Sequence, residues 1–184
     1  MGQFLKQFGA NKRAGLIGGL SLAVLLGALL GYAWWPLDAL PADAKADAVL
    51  VFKAERQLQL LRNQQVLKTY RIALGRNSVG HKLQEGDERT PEGQYKLDFR
   101  NPRSIAHRAL HISYPNAADV AQAQARGVSP GGAVMVHGLP NKVWWLGRWH
   151  RWMDWTDGCI GVTNAEMDEI WRVVPTGTPI EIRP

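Results

Sequence analysis

A chain of 184 residues has room for one domain of ordinary size and an appendage. Its hydrophobic fraction of 46% and charged fraction of 21% exclude a disordered polymer. The formal charge is +6, but Lys6, Lys12 and Arg13 supply three of the 22 basic residues before any acid occurs, leaving 19 against 16 acidic ones. So mild an excess, with no basic–aromatic repeat, argues against nucleic-acid binding and weakly favours an anionic membrane surface or cell-wall polymer.

The appendage is N-terminal. From Ala14 to Leu37 no residue is charged, which is enough apolar chain for a spanning helix of about 20 residues. Basic residues precede the run, and Trp34 and Trp35 stand where an interfacial belt would fall. The pattern predicts a cytoplasmic N-terminus over residues 1–13, a transmembrane anchor over 14–35, a solvated Pro/Ala/Asp linker over 36–47 and an exported domain over 48–184. The alternative is a cleaved signal, since Ala42-Asp43-Ala44 has the small-residue pattern of a cleavage site. In either case the domain lies on the outer side of the cytoplasmic membrane.

Within that domain the alternation of Val49 and Val51 with Leu50 and Phe52 predicts a strand. Leu58–Leu60 and Val66–Leu74 follow as a second and third, with a hairpin turn over Arg62–Gln65. Turn residues at Gly86-Asp87 and Pro91-Glu92-Gly93 lead into a strand through Tyr95, Leu97 and Phe99. Another strand covers Ala109–Tyr114, and Asn116 caps a helix that stops at Gly127. The apolar run before His137 is a buried strand. Thr163 and Glu166 have capping-box spacing for a helix ending near Pro175, and Thr178–Arg183 is the last strand. The fold class is mainly β: a sandwich or partly closed barrel with two short helices.

Cys159 is the sole cysteine. In an exported chain it is an inert buried thiol, half of an intermolecular disulfide, or a thiol left unpaired because it reacts. Its neighbours point to the third. His137 ends a strand and could take the thiol proton. Gly158 leaves the backbone beside the sulfur unobstructed, so that nearby N–H groups could meet an oxyanion.

His137-Gly138 at a strand end, a loop, and then "TDGCIGVTN" resemble the L,D-transpeptidase (YkuD-type) catalytic domain. "GDERTPEGQY" from Gly86 and "HISYPN" from His111 are similar to segments of the same family, so the resemblance spans about residues 48–184. It implies that Cys159 is the nucleophile attacking a peptidoglycan stem peptide and that His137 is the base. It further implies that the Gly138 carbonyl orients the imidazole, that N–H groups near Gly158 and Cys159 form the oxyanion hole, and that no metal or organic cofactor takes part. The acyl group would pass to an amine or to water. His111 and Tyr114 would line the cleft.

Two positions depart from the family pattern. Asp157 stands where His is usual, and Gly161 where Arg is usual two residues after the cysteine. Asp157 is expected to change the local charge or to face the acceptor site. The stretch Trp144–Trp155 holds five of the eight tryptophans; it is either a loop burying its own aromatics or a lid or patch facing membrane or glycan. Two other functions compete: an inactive cell-wall-binding relative, and a zinc amidase built on His137, His150 and Cys159, which lacks any paired ligand motif.

Overall fold

The computed structural model describes residues 21–34 and 38–184. The chain divides after Pro36 into two compact units. In the first, residues 21–34 are helical (α1). Among the described residues no helix is long and apolar enough to cross a membrane. The anchor expected over 14–35 is thus unsupported; residues 1–20 and 35 of the expected N-terminus and span lie outside the described residues.

The second unit is built on eight strands: β1 (Ala48–Phe52), β2 (Gln57–Arg62), β3 (Gln65–Arg71), β4 (Gly93–Ser104), β5 (His107–Ile112), β6 (Met135–His137), β7 (Ile160–Gly161) and β8 (Thr178–Arg183). They form one mixed sheet in the order β3-β2-β1-β8-β4-β5-β6-β7. The β2–β3 hairpin turns on Asn63 and Gln64, both with positive φ (51° and 64°), the backbone that two-residue hairpin loops require. Beyond β3 the chain crosses to the opposite edge. Ala73 and Gly161 exchange both backbone hydrogen bonds, at 2.9 and 2.8 Å, and Gly75 bridges Thr156. The two edges are thereby joined, so the partly closed barrel is found and the two-sheet sandwich is not.

The core follows from strand alternation. Val49 and Val51, Leu58 and Leu60, Tyr95 and Leu97, Leu110 and Ile112, and Ile180 and Ile182 are all buried. Two helices complete the unit. The first, α2 (Ala117–Ala125), has a capping box between Asn116 and Asp119. The second, α3 (Asn164–Val173), has one between Thr163 and Glu166 and buries Met167, Ile170 and Val173.

The expected solvated linker is instead docked along α3. Arg172 donates to the carbonyls of Leu40, Pro41 and Ala42, the Ala46 N–H donates to the Val173 carbonyl, and the Leu40 N–H donates to Glu169. Leu40 and Ala44 pack on the core. A backbone with no periodicity of its own can still be fixed by a neighbour's side chains.

Candidate active site

Register decides which side chains share a face. Leu110, Val136 and Ile160 pair across β5, β6 and β7 and point into the core. Ala109, His137 and Gly161 form the adjacent row, which the pleat turns to the opposite face. Two residues along, His111 pairs with Met135, and Cys159 stands one residue before β7 in the same register. His111, His137 and Cys159 therefore rise from one face.

His137 is buried, and its Nδ1 lies 2.6 Å from the Gly138 carbonyl oxygen. A carbonyl can only accept, so Nδ1 carries the proton and Nε2 of the neutral ring offers a lone pair. A side chain on Gly138 would not fit. Its Cβ would stand 2.7 Å from Asn164 Oδ1 and 2.9 Å from the His107 Cβ. Asn164 Oδ1 in turn accepts the Leu139 N–H at 2.8 Å, which fixes the chain leaving the histidine. Burial pushes His137 below the ordinary imidazole value, against a smaller opposing effect of the Gly138 bond.

The Cys159 sulfur is half-buried, 3.7 Å from the Ala133 carbonyl oxygen. Burial pushes its thiol above the ordinary 9.0; the Met135 N–H pulls it down, Asp157 pushes it up and Lys82 pulls it down. Both members of the pair are thus favoured in their neutral forms. The turn before the sulfur is closely determined. Thr156 Oγ1 donates to the Cys159 carbonyl at 2.7 Å and accepts the Gly158 N–H at 3.2 Å. That N–H serves the turn, so using it for an oxyanion would require releasing Thr156. Gly158 has φ +125°, and a Cβ there would stand 2.6 Å from the Arg89 carbonyl oxygen.

The other expected residues divide. Asp157 is exposed and ion-paired to Arg76, which also holds Glu88 at 3.0 Å. With Lys82, Glu85, Glu88 and the Gly131-Gly132 backbone it lines a cavity of about 350 Å³. His111 Nδ1 is 2.7 Å from Asp98. Tyr114 belongs to the core rather than to a cleft surface; its hydroxyl donates to the Pro130 carbonyl at 2.9 Å, and burial pushes it up to about 12. Among the described residues no group of three His, Cys, Asp or Glu could hold a metal ion.

Several residues at the site carried no legible signal of their own. The Trp155 ring fills the space over Gly161, where a Cβ would come within 2.9 Å of it, and it meets His137 edge-on at 5.6 Å. Asp154, beside it, is held by Arg56 at 2.7 Å and accepts the Leu74 N–H at 2.9 Å. A Cβ on Gly75 would stand 2.0 Å from the Glu88 carbonyl oxygen and 3.0 Å from Gly158 Cα. Gly75 thus lets three backbones meet behind the cysteine turn.

A sequence profile of the YkuD family, the L,D-transpeptidase catalytic domain, matches residues 46–182. The chain belongs to the L,D-transpeptidase catalytic-domain family. It is 32% identical over 132 residues to YafK of Escherichia coli, named as a provisional L,D-transpeptidase; the match covers 68% of this chain and 46% of YafK. Among solved structures it is similar to the helical cell shape determining protein Pgp2 of Campylobacter jejuni. That match has a TM-score of 0.57 and 23% identity, covering 85% of this chain and 54% of Pgp2. Bd1075 of Bdellovibrio bacteriovorus matches with a TM-score of 0.51 and 23% identity, covering 79% of this chain and 50% of that one. These two establish a shared fold. The chain spans about half the length of the relatives it matches.

Proposed function

We propose that this L,D-transpeptidase-family domain is a cysteine acyltransferase acting on peptidoglycan stem peptides. One observation carries the assignment. His137, its Nδ1 held by Gly138, rises from the same sheet face as Cys159, which stands one strand over and two residues along from the residue paired with His137. The Cys159 thiol attacks the carbonyl of a peptide bond while His137 Nε2 takes the thiol proton. The amine leaves with that proton and an acyl-thioester remains. An incoming amine then attacks the thioester, its proton passes through His137, and the thiolate is reprotonated as the new amide departs. Because burial favours the neutral thiol and neutral imidazole, proton transfer accompanies attack, as in general-base catalysis.

The cavity beside Asp157 supports an amine as acceptor, since Glu85, Glu88 and Asp157 still exceed Lys82 and the Arg76 that pairs with two of them by one charge. An ammonium would be drawn there before losing its proton. The domain would act on the outer side of the cytoplasmic membrane, in cross-linking or remodelling of the wall and thereby in cell shape. The basic flank and uncharged run of residues 1–37 motivate that placement, and N-terminal sequencing of membrane-extracted protein tests it. A mature chain starting near Lys45 would replace the anchor with a cleaved signal.

The reaction is tested by incubating the protein with purified tetrapeptide muropeptides and reading products by mass spectrometry. Cross-linked dimers or amine-exchanged stems are expected. Unchanged muropeptides, with or without amine added, would leave a binding-only protein.

A further inference from the structure

The segment between His137 and Cys159 does more than connect them. Residues Trp144–Trp152 form 3-10 turns broken at Gly147 (φ 49°, ψ −131°). With Leu139 before them and Trp155 after them they enclose a second cavity of about 410 Å³, lined by Pro140, Leu146, Trp149 and His150 among others. That volume is within the usual range for small-ligand pockets, about 300–1,000 Å³.

Two polar atoms in this apolar wall lack partners. Trp155 Nε1–H donates to His150 Nδ1 at 3.3 Å. An indole can only donate, so the His150 proton is on Nε2. His150 is 4% exposed, and burial, with Arg151 and His137 nearby, pushes it down to about 3. The ring is therefore neutral, and its Nε2–H is a buried donor without an acceptor among the described residues, as is Trp149 Nε1–H. A buried donor left unmade costs a folded protein free energy, and two beside one cavity call for an oxygen acceptor from outside the chain.

The segment that forms the cavity indicates what brings it: Trp152 and Met153 line it, and Trp144 and Trp145 neighbour lining residues in the chain. Trp144 and Trp145 (each 52% exposed), Trp152 (69%) and Met153 (68%) are solvent-facing. Residues 141–153 contain Lys142, Arg148 and Arg151 and no acid. Arg151 is bound to Glu166, whereas Lys142 and Arg148 form no ion pair among the described residues. Exposed indoles with cations suit the boundary between acyl chains and anionic headgroups.

We propose that this cavity binds an acyl chain, the chain lying among the tryptophans, its carbonyl or carboxylate oxygen accepting from His150 Nε2–H and Trp149 Nε1–H. The site is distinct from the transpeptidase centre and does not rest on that assignment. It shares one wall with the centre, because Trp155 faces the cavity and also meets the edge of His137.

The test is photo-crosslinking of the full chain in phosphatidylcholine nanodiscs. One arm uses a diazirine-bearing palmitic acid, the other phosphatidylglycerol carrying the same chain, with labels mapped by peptide mass spectrometry. Labelling is expected within residues 139–155 and should be suppressed by excess unlabelled palmitate or phosphatidylglycerol. The arm that labels identifies whether a free fatty acid or a bilayer lipid is the source. Leu146→Trp, which fills the cavity, should cut labelling at least tenfold. His150→Phe, which keeps the apolar wall but removes the donor, should weaken the competing ligand roughly fivefold. Circular dichroism checks each variant's fold, and if Leu146→Trp does not fold, competition on the native chain decides alone. Labelling absent from 139–155 in both arms, or not suppressed by competitor, overturns the proposal. So does unchanged labelling in folded Leu146→Trp.

Discussion

Two cavities lie on either side of His137 and Cys159 and have opposite chemistry. The one on the cysteine side is open and charged, lined by Lys82, Glu85, Glu88 and Asp157. The one on the histidine side is walled by tryptophan and leucine and holds a neutral, buried His150. Both adjoin the 21 residues that separate His137 from Cys159, so one long connection borders two environments. Its polar end is tied down by Arg56 and Arg76, through Asp154 and Asp157. Its apolar end is held mainly by aromatic contacts, such as Trp149 stacking on Trp152 at 6.2 Å. Under the proposed function, charge would choose the acceptor on one side, while apolar packing would hold His137 as base on the other.

The largest expected effect comes from removing the base that joins the two sides. His137→Ala should lower turnover of muropeptides by about 10²–10⁴-fold, the usual worth of positioned acid–base catalysis. Steady-state rates on folded variant check this, and a loss under about tenfold would move the base to another group.

Next is the apolar side. Gly161→Arg restores the residue usual in the family, but its Cβ alone would meet the Trp155 ring at 2.9 Å. Overpacking of this kind costs about 1–3 kcal/mol, measurable by urea unfolding. In a Trp155→Ala background the same change should cost much less. An equal cost in both backgrounds would show that the indole is not what excludes the side chain.

Acid should weaken the apolar side too. His137 and His150 are both lowered by burial, so above the unfolded value of about 6.5 neither folded nor unfolded state binds the proton. As pH falls below that value the unfolded chain takes up protons that the folded chain refuses. Stability should therefore drop by up to about 1.4 kcal/mol per pH unit for each histidine, beginning near pH 6.5. Denaturant midpoints between pH 7.5 and 5 check the slope, and His150→Phe should make it shallower.

The smallest effect belongs to the charged side. Asp157 is exposed and already paired with Arg76, and burial, not Asp157, is the main cause of the raised thiol. Asp157→Asn should leave acylation by a carbapenem-type β-lactam nearly unchanged and slow transfer to amines by about two- to fivefold, the worth of an exposed charge pair. Faster acylation with unaltered transfer would assign Asp157 to the thiol instead.

Much of this was legible in the sequence, for physical reasons. Strand alternation through Val49–Val51 and Thr178–Arg183 and the capping boxes at Asn116 and Thr163 are local signals, and local structure obeyed them. His137, Gly138 and Cys159 stood out because their types and order were unusual together. The closure of the sheet was not legible, since it depends on Ala73 meeting Gly161 across 88 positions of chain. Nor was the docking of residues 38–47, which is imposed by Arg172 and Glu169 from α3. Tyr114 was expected near the cleft because of its place in a family-like segment, yet it continues the parity of Leu110 and Ile112 and lies in the core. Trp155 looked like one aromatic among five. Only the void above Gly161 distinguishes it.

The central claim is that Cys159 carries the acyl group. The direct measurement is the intact mass of the protein after brief incubation with a purified tetrapeptide muropeptide, followed by peptide mapping. An adduct of the acyl stem on the peptide containing Cys159 is predicted, lost on addition of an amine acceptor and absent from Cys159→Ala, whose fold should persist because the change is small. Products formed at an undiminished rate by Cys159→Ala, or an adduct mapped to another residue, would contradict it.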